Sequence, residues 1–528
     1  MLKRKWFLYL TEFFSGMSVM AIELGASRLL APYFSSSQIV WTIIIGAIMI
    51  AMALGNIWGG RLADKNPSPD KLYFRILIVA VWTAAIPFLG KYVIAGVSLM
   101  LALLVEKNFL LWASLISCLV LFVFPLMLLG SVSPALVKYA VHSLDENGKI
   151  VGELNALNTI GSIIGTFTPT FITIPLVGTS WTFIIFALIL LAIALAYFIS
   201  TRAKLIKVSA MVALVLLFSI LGSVNSFAFW RSGIDLYEDE SIYNYLQVTE
   251  DDEEIILSTN VLFGIQSITK KDGALTGFYY DYALAGPYMA GVTEKDELRI
   301  LILGMGSGTY ATQCYRYFDN AVITGVEIDK KIIDLAYDRF GLPQDERISC
   351  VELDGRAYLR GAEEYDLILV DAYRDVTIPF QMSSAEFFTE VQEHLADDGV
   401  MIVNLNMYSS TEKSLDKYLC DTVASVFDTV CVADRGTNRI VFASDDPSTV
   451  DRFRATYPKK KHELTSVLSA LDGKLTPYVG TDLILTDDKA PVELLGMQVI
   501  DEMIAKELAY YKSIFENMSI SEMLDFLQ

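Results

Sequence analysis

Leu298–Phe318, LRILILGMGSGTYATQCYRYF, decides how this chain is read. Its apolar run Ile300–Leu303 stops at Gly304-Met305-Gly306-Ser307-Gly308. A run of that length bounded by glycines reads as a buried strand. Thr309–Phe318, which follows, suits a helix. Three further segments repeat the plan. In NAVITGVEID (Asn320–Asp329) the run Ala321–Val326 ends in Glu327. In ISCVELDGRAYL (Ile348–Leu359) the run Ile348–Leu353 ends in Asp354-Gly355. In YDLILVDAY (Tyr365–Tyr373) the run Leu367–Val370 ends in Asp371. Polar residues thus stand at the C-terminal tips of four successive strands, the edge at which open α/β sheets bind ligands.

The spacing narrows the ligand. Glycines let backbone approach a ligand closely, and an acid about twenty residues further on accepts both hydroxyls of a ribose. Glu327 lies 19 residues after Gly308, at the end of the second strand. A parallel sheet whose glycines served only tight turns would leave the repeated acid at the strand tip unexplained. The chain has no GxxxxGK[ST], which argues against a nucleoside triphosphate.

The chain has 528 residues, 53% of them hydrophobic, with a mean hydropathy of +0.45, which points to a membrane protein with two or three domains. Residues 1–235 carry 16 basic and 9 acidic residues, a net of +7; the remainder carries 25 and 52, a net of −27. The acidic half argues against nucleic acid; it suits a cationic ligand, with a merely solvated acidic surface the preferred reading. The five cysteines form no CxxC pair, and His142, His394 and His462 are scattered, so neither a disulfide framework nor a metal centre is expected.

Residues 1–230 contain runs of about 20 apolar residues, long enough to cross a bilayer. The expected spans are 6–30, 39–59, 72–90, 109–131, 150–174, 180–200 and 206–227, about seven in all, in a multi-pass protein of the cell membrane. Val93–Val105 is a weaker stretch that lies in the interface, re-enters or adds an eighth span. Lys3, Arg4, Lys5, Arg61, Lys65, Lys71, Arg75, Lys138, Lys149, Arg202, Lys204 and Lys207 fall on one side if seven spans cross. The bias of basic residues toward the cytosol then leaves the acidic half outside, whereas supply of a nucleoside co-substrate favours a cytoplasmic location, the side adopted here as the expectation. Glu23, Arg28, Glu153, Asn155 and Asn158 are costly in a membrane, and such groups either form a polar pathway or hydrogen-bond neighbouring helices; the second reading is preferred. Gly161 and Gly165 form a GxxxG that permits close helix packing.

Asp235–Glu240 is acidic and soluble. Strands are expected over Tyr243–Val248, Glu254–Leu257 and Phe263–Thr269, and a tyrosine-rich helix over Thr276–Gly291. The domains read as a membrane bundle (1–230), a small β-rich lead-in with that helix (236–290), a nucleoside-binding α/β domain (296–445) and a C-terminal extension (446–528). Within the last two, a helix starts at Ser384, strands follow at Val400–Leu405 and Arg439–Ser444, and a long helix covers about Leu494–Phe515.

The segments NVLFGIQSI, FYYDYAL, LILGMGSGT, VEID, DGRAYL and DLILVDAY resemble the spermidine synthase family, the polyamine aminopropyltransferases. The likeness covers roughly residues 236–445. IELGASRLLAPYF, ALGNIWGGRLAD and GELNALNTIGSIIGTF resemble the membrane portion of its fused, multi-spanning members. The resemblance implies a small β domain followed by a Rossmann-like fold of the class I methyltransferase type. It also implies a co-substrate, decarboxylated S-adenosylmethionine or S-adenosylmethionine, with no metal. On that resemblance Glu327 holds the donor ribose, Asp354 contacts the adenine, Gly355 follows it, and Gly304, Gly306, Ser307 and Gly308 lie under the nucleoside. Asn244 stands where a donor-contacting glutamine is usual. Tyr280 and Asp281 lie beside the acceptor, and Asp371 is the proposed base or ammonium anchor. The implied partners are a small amine, the lipid bilayer and a second copy of the chain.

Two departures keep alternatives open. Ser307 replaces an Asp that grips the donor's primary amine, and Arg374 replaces the second Asp of a D-x-x-D loop, with Asp375 one residue late. Arg374 repels an ammonium and pairs with a carboxylate. Aminopropyl transfer to a polyamine therefore stands beside methyl or aminocarboxypropyl transfer from S-adenosylmethionine, and beside a transporter or sensor whose α/β domain only binds ligand.

Overall fold

The computed structural model describes residues 5–515 except 66, 106, 142–146, 225–234, 262–264, 373–377, 407–412 and 459–462. The first half is a bundle of apolar helices: α1 (Lys5–Phe34), α2 (Gln38–Lys65), α3 (Pro69–Leu104), α4 (Phe109–Cys118), α5 (Phe124–Gly130), α6 (Val132–Ala140), α7 (Asn147–Thr168), α8 (Ile174–Thr201) and α9 (Leu205–Ser223). Among the described residues, six segments are long and apolar enough to cross a membrane. The longest, Asn147–Thr201, breaks at Gly178, whose φ of 80° no helix accommodates. Val93–Leu104 is no separate crossing; it continues α3.

Small residues bring α1 and α7 together. A Cβ added at Gly161 would lie 2.0 Å from the Phe13 carbonyl oxygen, and one at Gly165 2.1 Å from that of Met17. Two of the polar groups named from the sequence serve helix contacts: Asn158 donates to Glu12 Oε1 at 2.9 Å, and Tyr9 donates to Glu153, whereas Arg28 donates to the Ile242 carbonyl, outside the bundle. Glu12, which the sequence reading passed over, is fully buried. Asn155 is exposed.

The second half docks on one end of this bundle. The Gln38 N–H donates to Glu493 at 2.7 Å, and those of Asn108 and Phe109 donate to Asp501 at 2.6 and 2.8 Å. Thr179 donates its N–H and hydroxyl to Glu240 at 2.5 and 2.6 Å. The basic helix ends gather at the opposite end, where Lys138 meets Asp64 at 2.9 Å and Lys204 meets Asp70 at 3.8 Å.

A four-stranded antiparallel sheet follows, in the order β1 (Asp235–Glu240), β2 (Tyr245–Glu250), β3 (Glu254–Ser258), β4 (Ser267–Lys270). The acidic stretch Asp235–Glu240 is thus a strand, because pairing with β2 outweighs its poor propensity. The expected tyrosine-rich helix is two short ones, Tyr279–Ala283 and Gly286–Ala290. Pro287 lacks the N–H that a continuous helix needs and sits at the start of the second.

The main sheet has eight strands. They are β5 (Leu298–Leu303), β6 (Ala321–Glu327), β7 (Ile348–Glu352), β8 (Tyr365–Val370), β9 (Leu395–Leu405), β10 (Thr429–Arg435), β11 (Asn438–Ser444) and β12 (Thr476–Pro477), in the order β12-β10-β11-β9-β8-β5-β6-β7. Strands β5 to β9 pair in parallel and the rest antiparallel. Every residue of β8 is buried, as expected for a strand covered on both faces. This is a Rossmann-like fold of the class I methyltransferase type. The chain runs outward from β5 through β6 to β7, then returns to lay β8 on the other side of β5. That reversal makes a crevice at the C-terminal ends of β5 and β8. The small sheet packs Leu246, Val248 and Leu257 on Ile332 and Leu335 of the helix Lys330–Asp338, which fixes its edge beside that crevice.

Candidate active site

Strand register puts the four tips side by side. Leu303 pairs with Val370 and Val326, so Gly304, Asp371 and Glu327 emerge next to one another. The Asp371 N–H donates to the Leu303 carbonyl at 2.9 Å. Gly304, Gly306 and Gly308 have φ of 86°, 57° and 80°, the left-handed region that disfavours any side chain. A Cβ at Gly304 would lie 2.6 Å from the Asp371 carbonyl oxygen, and one at Gly306 2.7 Å from Ser267 Oγ.

One cavity of about 500 Å³ opens here. Asn244, Gly304, Gly306, Glu327, Asp354, Gly355 and Asp371 line it together. Glu327 is buried and accepts N–H bonds from Gly306 at 3.0 Å and Asp329 at 3.1 Å. Burial pushes its carboxyl up to about 7, against the pull of those two bonds. Asp354 accepts from the Ala357 N–H at 2.9 Å and so caps the short helix Gly355–Leu359. Asn244 donates to Asp329 at 2.9 Å, which ties the small sheet to the end of β6.

Asp371 is held by two donors, the Tyr279 hydroxyl and the Asn404 amide, the latter at 2.8 Å. Burial raises its carboxyl to about 7; the two hydrogen bonds lower it and the nearby Glu327 charge raises it. The Tyr279 and Tyr280 rings lie with centroids 4.0 Å apart, and burial drives both phenols up, so both stay protonated donors. Tyr280 donates to the Gln266 carbonyl at 3.2 Å.

Other residues named from the sequence point elsewhere. Ser307 is buried, shares a 3.2 Å hydrogen bond with Thr309 and is absent from the cavity wall. Gly308 starts the helix Thr309–Tyr317. Asp281 is occupied by a turn: it accepts from Thr276 and Gly277 N–H at 3.0 and 2.7 Å and from Gln313 at 3.1 Å. Arg374 and Asp375, with Tyr373, His142 and His462, lie outside the described residues.

Contributors from three segments escaped the sequence reading. Asn404 sits inside the apolar run MIVNL, and that lone amide was a usable signal. Gln266 and Ser267 come from the end of the small sheet. Ser35, Ser36 and Ser37, from the turn between α1 and α2, and Gln38 and Trp41, from the start of α2, line the same cavity, and only the docking of the two halves reveals it. Among the described residues no group of three His, Cys, Asp or Glu side chains is placed to hold a metal ion.

The fold and cleft define a nucleoside-binding α/β domain of the class I methyltransferase type, with its acids around one crevice. Comparison with known proteins carries this further. Residues 278–435 match the spermine/spermidine synthase domain. A protein of Bifidobacterium longum named "Probable polyamine aminopropyl transferase" is 45% identical over 359 residues, 64% of this chain and 79% of the relative. A polyamine aminopropyltransferase of Vibrio vulnificus is 30% identical over 224 residues, 40% of this chain and 72% of its own length. A crystal structure titled as a probable spermidine synthase from Corynebacterium glutamicum aligns at 19% identity with a TM-score of 0.35, over 46% of this chain and 87% of that one. The chain belongs to the spermine/spermidine synthase family and is a transferase of the polyamine aminopropyltransferase type. The co-substrate of that family is an adenosyl sulfonium, decarboxylated S-adenosylmethionine or S-adenosylmethionine. The cleft fits such a group: a buried carboxyl able to accept from hydroxyls, glycines at which a Cβ would clash, and room for a nucleoside.

Proposed function

We propose that this protein transfers an aminopropyl group from decarboxylated S-adenosylmethionine to a polyamine, from a catalytic half seated on a membrane-spanning bundle. Glu327 holds the ribose, Asp354 faces the adenine, and Gly304 and Gly306 give the nucleoside its floor. Asn244 contacts the donor from the small sheet. Tyr279, Tyr280 and Asp371 form the acceptor end. The adenosyl sulfonium supplies an activated carbon whose leaving group is a neutral thioether.

Asp371 is the observation that carries this reading. The acceptor nitrogen attacks the methylene carbon, the carbon–sulfur bond breaks, and its electron pair stays on sulfur. The amine must lose a proton, and in water an Asp and an alkylamine differ by about 6.5 pKa units, roughly 9 kcal/mol. An Asp371 raised to about 7 closes nearly half of that gap, and the same desolvation lowers the amine. The Tyr279 and Asn404 bonds fix the carboxylate beside the amine, where it takes an N–H proton and leaves the nitrogen lone pair to approach carbon opposite sulfur.

Ser307 favours a second reading. Its hydroxyl is committed to Thr309, at the place where an acid usually grips the donor's amine. A donor that keeps its carboxylate would then be used for methyl or aminocarboxypropyl transfer. Calorimetry on the purified full chain separates the two. Tighter binding of the decarboxylated donor is expected; tighter binding of S-adenosylmethionine would favour the second reading.

A further inference from the structure

The turn Ser35-Ser36-Ser37 joins a 30-residue helix to a 28-residue helix, and it is not an ordinary helix reversal. Ser35 has φ of 72°, a left-handed conformation that serine adopts at a cost and that glycine usually fills at this place. The start of α2 is fastened from both sides. Ser37 Oγ accepts the Val40 N–H at 3.3 Å, and Glu493 from the helix Val492–Phe515 accepts the Gln38 N–H at 2.7 Å. A third tie, the Val261 N–H to the Pro32 carbonyl at 2.8 Å, joins the end of α1 to the small sheet. The segment so held forms part of the wall of the catalytic cavity, with Trp41 half-buried in it.

Trp41 stands at a definable end of that cavity. With Ser36, Tyr243, Asn244 and Thr259 it also lines a second cavity, of about 180 Å³, in the seam between bundle and small sheet. Asn244 donates to Asp329, and the Asp329 N–H donates to Glu327. Trp41 thus shares both linings with Asn244, the residue whose bond to Asp329 leads to Glu327.

We infer that the α1–α2 turn is the roof of the donor site, with Trp41 as a positioning residue for the nucleoside and the Gln38–Glu493 bond as the latch that holds it down. This rests on the proposed function. It adds that the membrane bundle is more than an anchor: two of its helices complete the site.

The test uses the full chain in detergent or nanodiscs, with methylthioadenosine as the binding probe and steady-state kinetics for both substrates. Trp41→Ala is expected to weaken probe binding and raise the donor KM roughly tenfold, the loss of one buried aromatic wall, with the acceptor KM unchanged. Trp41→Phe is expected to restore most of the affinity. Glu493→Ala, outside the bundle, is expected to shift donor KM in the same direction, which covers the case in which Trp41→Ala misfolds. Unaltered probe affinity in both Trp41→Ala and Glu493→Ala overturns the roof and leaves the proposed function standing. Equal rises in donor and acceptor KM also overturn it. Failure of the unmodified protein to bind methylthioadenosine or either sulfonium overturns the proposed function itself.

Discussion

Asn404 donates its side-chain amide to Asp371 at 2.8 Å, and its carbonyl oxygen in turn accepts from Asn438 at 2.8 Å. The pair spans the β8–β9 strand tips, and the second amide fixes the first. Asn404→Ala removes a donor that favours the charged carboxylate, so the Asp371 pKa moves further up from about 7. The pH–rate profile of Asn404→Ala is expected to shift its inflection upward by about one unit, with activity lost at neutral pH and regained in alkali. An unshifted inflection would show that Asn404 plays no part in setting Asp371.

Glu327 and Asp371 both carry carboxyls raised by burial to about 7. A folded pKa raised above the unfolded value favours the fold while the group is protonated. That contribution is present below about pH 4 and is lost as pH rises through about 7. Replacing either acid by its amide removes the loss. The Tm of Asp371→Asn relative to the unmodified protein is therefore expected to rise between pH 5 and pH 8. A difference that is flat or falling across that window contradicts the burial argument.

The same two acids predict proton release. A bound sulfonium cation favours their charged forms, so donor binding near pH 7 is expected to expel protons into the buffer. Calorimetry in buffers of different ionisation enthalpy measures the number directly. Proton uptake would place the cation away from both carboxylates.

Gly304 permits no side chain. A Cβ there would lie 2.6 Å from both Ala372 Cα and the Asp371 carbonyl oxygen, backbone atoms just past the end of β8, at a φ of 86°. Gly304→Ala is expected to lose donor binding and to destabilise the catalytic half by on the order of 1–3 kcal/mol. Donor affinity within twofold of the unmodified protein would mean that the strand tip yields.

Orientation sets two arguments against each other. The catalytic half docks on the bundle end opposite Lys65, Lys138 and Lys204, and the bias of basic residues toward the cytosol places that half outside. A co-substrate supplied in the cytosol places it inside, and the proposed reaction requires that side. A cysteine introduced at the exposed Gly361 is therefore expected to react with an impermeant maleimide only after cells are permeabilised. Labelling of intact cells would separate the cleft from its proposed donor.

The crevice was legible because a parallel sheet writes its site in local order: each apolar run ends at the edge where it binds. Glu327, Asp354 and Asp371 needed only the runs before them. The roof was not legible, since Trp41 and Glu327 come to line one cavity only through the docking of two halves that sequence periodicity treats separately. Pro287 was a readable signal, and the break it makes between two short helices follows from its missing N–H. The strand Asp235–Glu240 was hidden by its charges and is specified by its partner β2. Asp281, read as an acceptor contact, is taken up by the Thr276–Gly277 turn, a local competition that residue type alone does not show.

Product analysis on the purified full chain tests the central claim most directly. Given decarboxylated S-adenosylmethionine and a short diamine, it is expected to yield the aminopropylated amine and methylthioadenosine in equal amounts, and Asp371→Asn is expected to yield neither. A protein that forms no aminopropylated product from the decarboxylated donor, yet transfers a methyl or aminocarboxypropyl group from S-adenosylmethionine, would contradict the account.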